Sequence, residues 1–161
     1  MCDKMTGHVI GIDLSCSGLY DSINPNSSIF SLRHLQRLKL AYNYFNYSTI
    51  SSKFGGFANM THLNLSYSYF AGEVPSKISH LSKLISLDLY MNDDMRIGTS
   101  SLKRLIQNLT HLSELILDEV NMFSISPNAF MILSSSLTTF RIIHYGLKGI
   151  FSVNIFHLPN L

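Results

Sequence analysis

Charge is scarce in this sequence. Of its 161 residues 14% are Asp, Glu, Lys or Arg, against roughly 25% in an ordinary soluble domain. The net charge is +2 and the basic residues are scattered, so there is no electrostatic footprint for nucleic acid or for an anionic membrane surface. No apolar run approaches the roughly 20 residues of a membrane-spanning helix. The opening MCDKMTGHVIG lacks the hydrophobic stretch of a secretory signal. Catalytic signatures are missing too: there is no G-x-S-x-G elbow, and the glycine pair of FGGFAN has no following lysine with which to cradle a phosphate. Cysteine is limited to Cys2 and Cys16, which leaves free thiols or a mutual pair open and does not settle the redox compartment.

Seven histidines are present, but their spacing matches no zinc motif. His8, His34 and His111 each stand just before a recurring leucine core, so they are spread along the chain rather than gathered. The acidic pair Asp93-Asp94 reads as a solvated loop rather than an acid/base couple. Neither a metal nor a cofactor is implied, and the chain does not read as an enzyme.

What is abundant is a mixed hydrophobic step that fits neither a lone strand nor a helix. An L-x-x-L-x-L core recurs as Val9-Ile12-Leu14, Leu35-Leu38-Leu40, Met60-Leu63-Leu65, Leu84-Leu87-Leu89, Leu112-Leu115-Leu117 and Leu137-Phe140-Ile142, with Leu161 placed to open a seventh. The steps between starts are 26, 25, 24, 28, 25 and 24 residues. A period in the twenties with this core is the signature of a leucine-rich repeat, whose units cannot bury their apolar edges alone and therefore stack. The expected fold is an α/β-type repeat solenoid: a horseshoe with about six short parallel strands on the concave side and irregular or short-helical segments on the convex side. Residues 1–8 read as the remnant of a cap and 9–161 as repeats. Because solenoids need polar caps and this chain enters and leaves in mid-pattern, it reads as a fragment. Within it TSSLKRLIQNL has helical spacing at Leu102, Leu105, Ile106 and Leu109, with Ser100 or Ser101 the expected N-cap.

Alternate strand residues face opposite sides, so the positions between the leucines form outward columns. One column reads Asp13, Lys39, Asn64, Asp88, Ile116, Arg141, and another, just past the strands, reads Cys16, Tyr42, Tyr67, Met91, Glu119, His144. Irregular charge with aromatic anchors suits recognition, and Arg37, Lys39, Tyr42, His62, Asn64, Tyr67, Asp88 and Tyr90 are the expected contact residues. The sequons at Asn26, Asn46, Asn59, Asn64 and Asn108 suggest a secretory route and glycans. Asn59 and Asn108, each just before a core, are expected on a solvent-facing flank, whereas the NLS at Asn64 reads equally well as strand sequence.

The phrases CDKMTGHVIGIDLSCSGLYDSI, SLRHLQRLKLAYNYFN and LTHL resemble the extracellular portion of plant receptor-like proteins of the disease-resistance type, over essentially the whole chain. The plant-specific L-x-G-x-I-P extension is complete once, at Phe70-Ala71-Gly72-Glu73-Val74-Pro75, and degraded at Leu19–Ile23 and Leu147–Phe151. In that family a cap with paired cysteines and a tryptophan precedes the CD…TGHV phrase; this chain has no Trp. The resemblance implies that Cys2 and Cys16 bridge to partners upstream. It also implies an intact parent on the extracellular side of the plasma membrane, sensing a peptide, microbial or cell-wall-derived ligand or a co-receptor in defence or development. The segment itself would make no membrane contact and bind no nucleic acid. An alternative with the same repeat is a soluble, polygalacturonase-inhibitor-like inhibitor of cell-wall-degrading enzymes.

Overall fold

The computed structural model describes residues 1–132, 136–144 and 146. Each leucine core places its middle x-L-x triplet in a three-residue strand: β1 Gly11–Asp13, β2 Arg37–Lys39, β3 His62–Asn64, β5 Ser86–Asp88, β7 Glu114–Ile116 and β8 Thr139–Arg141. They form one parallel sheet in the order β1-β2-β3-β5-β7-β8, and Leu38, Leu63, Leu87, Leu115 and Phe140 succeed one another in register along it. The fold is thus the leucine-rich-repeat solenoid expected from the period. The strand leucines and those that flank them point inward: Leu35, Leu38, Leu63, Leu65, Leu84, Leu87, Leu115 and Leu117 are essentially inaccessible. A stack of leucines at one height per unit is the energetic spine, each buried side chain contributing about 1.5–3 kcal/mol.

Phenylalanines fill the space behind the leucines. Phe45 and Phe70 stack at 4.5 Å, and Phe30, Phe54 and Phe57 meet in edge and stacked contacts between neighbouring units. Among the described residues the convex side is made of short 3-10 turns, Ser28–Ser31, Ser52–Gly56, Ser76–His80 and Pro127–Ile132, and one helix, α1 Thr99–Asn108. Gly55 of the FGGF stretch packs so close to the backbone carbonyl of Lys77 that a Cβ there would collide with it, which gives this glycine a packing role between consecutive turns.

The structure corrects the capping of α1. Neither Ser100 nor Ser101 is its N-cap; Gly98 is, with no side-chain cap bond. Ser101 is buried, and its Oγ donates to Glu73 Oε1 of the preceding unit at 3.2 Å, so a carboxylate from a neighbour lies at the positive end of the helix. Leu102, Leu105, Ile106 and Leu109 are buried, and α1 accounts for the long step in this unit.

The complete extension motif makes a second, two-stranded parallel sheet from β4 Gly72–Glu73 and β6 Met95–Arg96. Single bridges continue it at Thr49↔Ala71 and Arg96↔Asn121. Gly72 has φ +77°, and a Cβ at this point would press on Thr49 Cγ2, so glycine answers both the backbone and the packing. Among the described residues no helix is long and apolar enough to cross a membrane. The degraded extension at 147–151, the seventh start at Leu161 and His157 lie outside the described residues.

Candidate functional site

Just after each concave strand the chain turns through a left-handed residue. Cys16, Tyr42, Tyr67, Met91, Glu119 and His144 all have φ between 48° and 70°, the region that costs a non-glycine residue about 1–2 kcal/mol. The turn is retained because it keeps the inter-unit ladder going: Tyr42 N donates to Ser66 O at 3.1 Å, Tyr67 N to Tyr90 O at 2.7 Å and Met91 N to Asp118 O at 3.2 Å. It also swings the next residue inward. Asn43 Nδ2 donates to the carbonyls of Leu14, Leu40 and Ala41, and Asn92 Nδ2 to those of Leu65, Leu89 and Tyr90. Their Oδ1 atoms accept from Leu19 N and Phe70 N, each at 2.9 Å. Ser68 does a shorter version of the same job, donating to Leu40 O.

The outward side chains are thereby fixed in register. Arg37 stands opposite His62, and Lys39, Asn64 and Asp88 follow one another on β2, β3 and β5. Asn64 Nδ2 donates to Asp88 Oδ2 at 3.1 Å while its Oδ1 accepts from Ser66. Lys39 pairs with Asp13 across an exposed 3.4 Å contact. Burial, helped by the nearby Glu114 charge, holds the Asp88 carboxyl above its ordinary pKa. Burial, and then the Arg37 charge, hold His62 below its own. Tyr90 N donates to Asp88 Oδ1 at 3.0 Å, and the Tyr90 ring lies under the Arg141 guanidinium at 6.0 Å. Arg141 in turn pairs at 2.6 Å with Asp118, whose side chain is only 1% exposed.

Two features escaped the sequence reading. The Arg37–His62 column continues through Ser86 and Glu114, whose side chains hydrogen-bond to each other; extending the slot arithmetic by one more column would have found them. The larger omission is aromatic. Six of the eight tyrosines lie between residues 20 and 69, and the fold gathers them all at the edge of the concave sheet. Tyr42 and Tyr67 are 5.0 Å apart; beside them run Tyr20, Tyr44 and Tyr69, at 5.3 and 4.9 Å. Tyr47 sits edge-on to Tyr44 and Tyr69. The Tyr67 phenol is the main cause of a raised pKa at Tyr69. Tyrosine enrichment in the 20–69 segment was the available signal, and Tyr44 and Tyr69 share one repeat slot, each nine residues past its core start at Leu35 or Met60.

The sequons differ in setting. Asn26, Asn46 and Asn108 are exposed. Asn59, expected on an open flank, is half-buried, with Nδ2 donating to Arg33 O and Oδ1 accepting from Lys83 Nζ; the preceding unit's backbone approaches its amide closely enough to bond it. Asn64 is a half-buried strand residue with both ends of its amide engaged. Cys2 and Cys16 are exposed and are not joined to each other. His8 and His34 stack at 3.9 Å, and among the described residues no three His, Cys, Asp or Glu side chains gather to hold a metal.

No family model matches the chain. Curated relatives do. It is 44% identical, over 99% of its length, to a receptor-like protein Cf-9 homolog of Solanum lycopersicum, and 46% identical over the same share to receptor-like protein Cf-9 of Solanum pimpinellifolium. Receptor-like protein 6 of Arabidopsis thaliana is 37% identical, again over 99% of the chain. The chain spans 19%, 18% and 17% of these relatives. Among solved structures, the Arabidopsis receptor kinase HAESA, in complex with the peptide hormone IDA and the co-receptor SERK1, superposes with a TM-score of 0.69 at 27% identity, covering 86% of this chain and 26% of that one. The BIR2 ectodomain of Arabidopsis thaliana superposes at 0.67 and 24% identity, covering 92% and 74%, a likeness of fold. In sequence along its whole length, and in fold, this chain is a leucine-rich-repeat segment of the plant receptor-like protein kind.

Proposed function

We propose that this segment is a ligand-recognition module of a plant cell-surface receptor, reading a peptide, a microbial or cell-wall-derived ligand, or a co-receptor protein on the extracellular side, and that it does so without catalysis. The observation that carries this reading is the register: Arg37, Lys39, His62, Asn64 and Asp88 are held on adjacent strands of one sheet, with Tyr42 and Tyr67 paired at its edge. The leucines behind them repeat and the outward residues do not. A face whose backbone is fixed and whose chemistry varies from unit to unit can select one ligand among many. Receptor-like relatives and a peptide-hormone receptor fold support the same reading.

The test is a binding titration of the intact receptor ectodomain carrying Arg37→Ala, His62→Ala or Tyr42→Ala, with folding checked by circular dichroism. Affinity for the receptor's ligand or co-receptor falls about five- to thirtyfold for anchors of this kind. Unchanged affinity in all three variants overturns the reading. If the segment passes through the secretory pathway, peptide mapping finds glycan at the exposed Asn26, Asn46 or Asn108 in preference to the half-buried Asn59 and Asn64, whose amide nitrogens already donate to Arg33 O and Asp88 Oδ2.

A further inference from the structure

The tyrosine cluster has a shape that the concave columns do not explain. Its two rows, Tyr42–Tyr67 and Tyr20–Tyr44–Tyr69, enclose a groove of about 280 Å³ floored by Leu19 and Asn43. Tyr67 and Tyr69 also line a second hollow of about 100 Å³ that ends at Asp93 and Asp94. Among the described residues, neither of these exposed carboxylates has a hydrogen bond or an ion pair. Four of the tyrosines, at 42, 47, 67 and 69, sit at positive φ. Asparagine or glycine would meet those backbone positions at lower cost, so the rings are retained despite the backbone rather than because of it. Strain of this sort clusters where a surface has work to do.

We propose that this groove is a second binding subsite, taking an extended, proline-containing peptide segment with a lysine or arginine seated against Asp93 and Asp94. It rests on the reading of the segment as a recognition module and adds a ligand class to it. Tyr20 and Tyr44 stack 17° from parallel, so the faces they turn to each other are already engaged. Slots between aromatic walls suit proline rings, and a polyproline helix arrives with its backbone unsatisfied and little entropy left to lose. The Tyr20–Tyr44 and Tyr44–Tyr69 steps are 5.3 and 4.9 Å, so the row is of the same scale as one turn of such a helix, about 9 Å. The tyrosine hydroxyls supply donors for its free carbonyls. Beyond them, two unpaired carboxylates flanked by Tyr47 and Tyr67 meet a cation by both charge and ring face. An anionic oligosaccharide would be repelled at the same place.

Binding is read by isothermal titration calorimetry, which needs no intrinsic probe. The intact ectodomain is titrated with the synthetic peptide Pro-Pro-Arg-Pro-Pro, with its Arg→Glu form, and with chitohexaose and a galacturonan oligomer. The expected result is a saturable change with the arginine peptide, weakened about tenfold or more by Tyr44→Ala and by the double change Asp93→Asn, Asp94→Asn, weakened by salt, and unaffected by Lys53→Ala, at an exposed position of the Ser52–Gly56 turn. Tyr20→Phe keeps the wall and retains most of the binding. Saturation by either oligosaccharide and not by the peptide, equal binding of the Arg→Glu form, or indifference to both groove variants overturns the proposal. Because Arg37 lies outside the groove, loss of the receptor's own ligand in Arg37→Ala together with a silent groove refutes this subsite and leaves the broader reading standing; a groove that binds the peptide while Arg37→Ala leaves the receptor's own ligand unaffected removes Arg37 from the contact face and leaves the subsite standing.

Discussion

The second to fourth units and the fifth unit solve the same backbone problem differently. After β2, β3 and β5 the left-handed slot holds Tyr42, Tyr67 and Met91, and the inward slot holds Asn43, Ser68 and Asn92, which hydrogen-bond the carbonyls of their own and the preceding unit. After β7 the outward slot holds Glu119 and the inward one Val120, which is fully buried. Here the turn is held by main-chain bonds, Val120 N to Leu117 O and Glu119 N to Ile143 O, and the nearby polar element is the Asp118–Arg141 pair. The inward slot can be filled by polar satisfaction or by apolar packing, but not by nothing. The outward slot makes no such demand, so its occupant is available for recognition.

Four changes break or sharpen that contrast. The largest effect is expected for Asn92→Ala, which leaves the Leu65 and Leu89 carbonyls and the Phe70 amide without their partner at a site 1% exposed, while the Tyr90 carbonyl keeps Tyr67 N. Buried unsatisfied groups cost about 1–3 kcal/mol each, partly relieved by water, so a loss of about 3 kcal/mol in a urea melt is expected. A loss under about 1 kcal/mol would mean that the amide is dispensable, as it is in the unit that carries Val120.

Arg141→Met comes next. It strands the Asp118 carboxylate, and because Arg141 is itself half-exposed the cost is set below the range for a fully buried pair, at about 2 kcal/mol. Asp118→Asn in the same background recovers most of it, which a melt of the double variant reads directly. The third change concerns the outward slot. Tyr67→Asn suits the left-handed backbone, and stability changes by less than about 1 kcal/mol in either direction. Binding at the tyrosine groove falls nevertheless. A large loss of stability would move Tyr67 from recognition into the fold.

The smallest effects are in the pH response of the concave columns, and they have opposite signs. His62 titrates below its ordinary value in the folded chain, so folding disfavours its protonation and stability falls as the pH drops from the unfolded value through the folded one. Asp88 titrates above its ordinary value. Its ionisation is what folding disfavours, so stability rises as the pH drops through the folded pKa towards the unfolded one. Asp88→Asn removes the second slope and leaves the first. Arg37→Ala raises the His62 midpoint only partway, since burial is the larger cause, and an NMR titration of the imidazole measures it.

The linear pattern determined the fold class, the strand positions and the register of Lys39, Asn64 and Asp88, because a leucine repeat leaves a strand only one way to bury its edge. It also separated leucines that pack from side chains that face out. What only tertiary structure decided is what those outward residues meet. That Asn59 bonds the carbonyl of Arg33, that Glu73 lies at the start of α1 in the next unit, and that Tyr20, Tyr44 and Tyr69 form one row are contacts across 24 to 28 positions of chain. A period specifies how units stack; side-chain encounters across the stack depend on loop lengths and left-handed turns that carry no hydrophobic signature. The tyrosines that matter most to the proposed groove lie in those loops, where the repeat assigns Tyr44 and Tyr69 a common slot and the backbone alone sets their place.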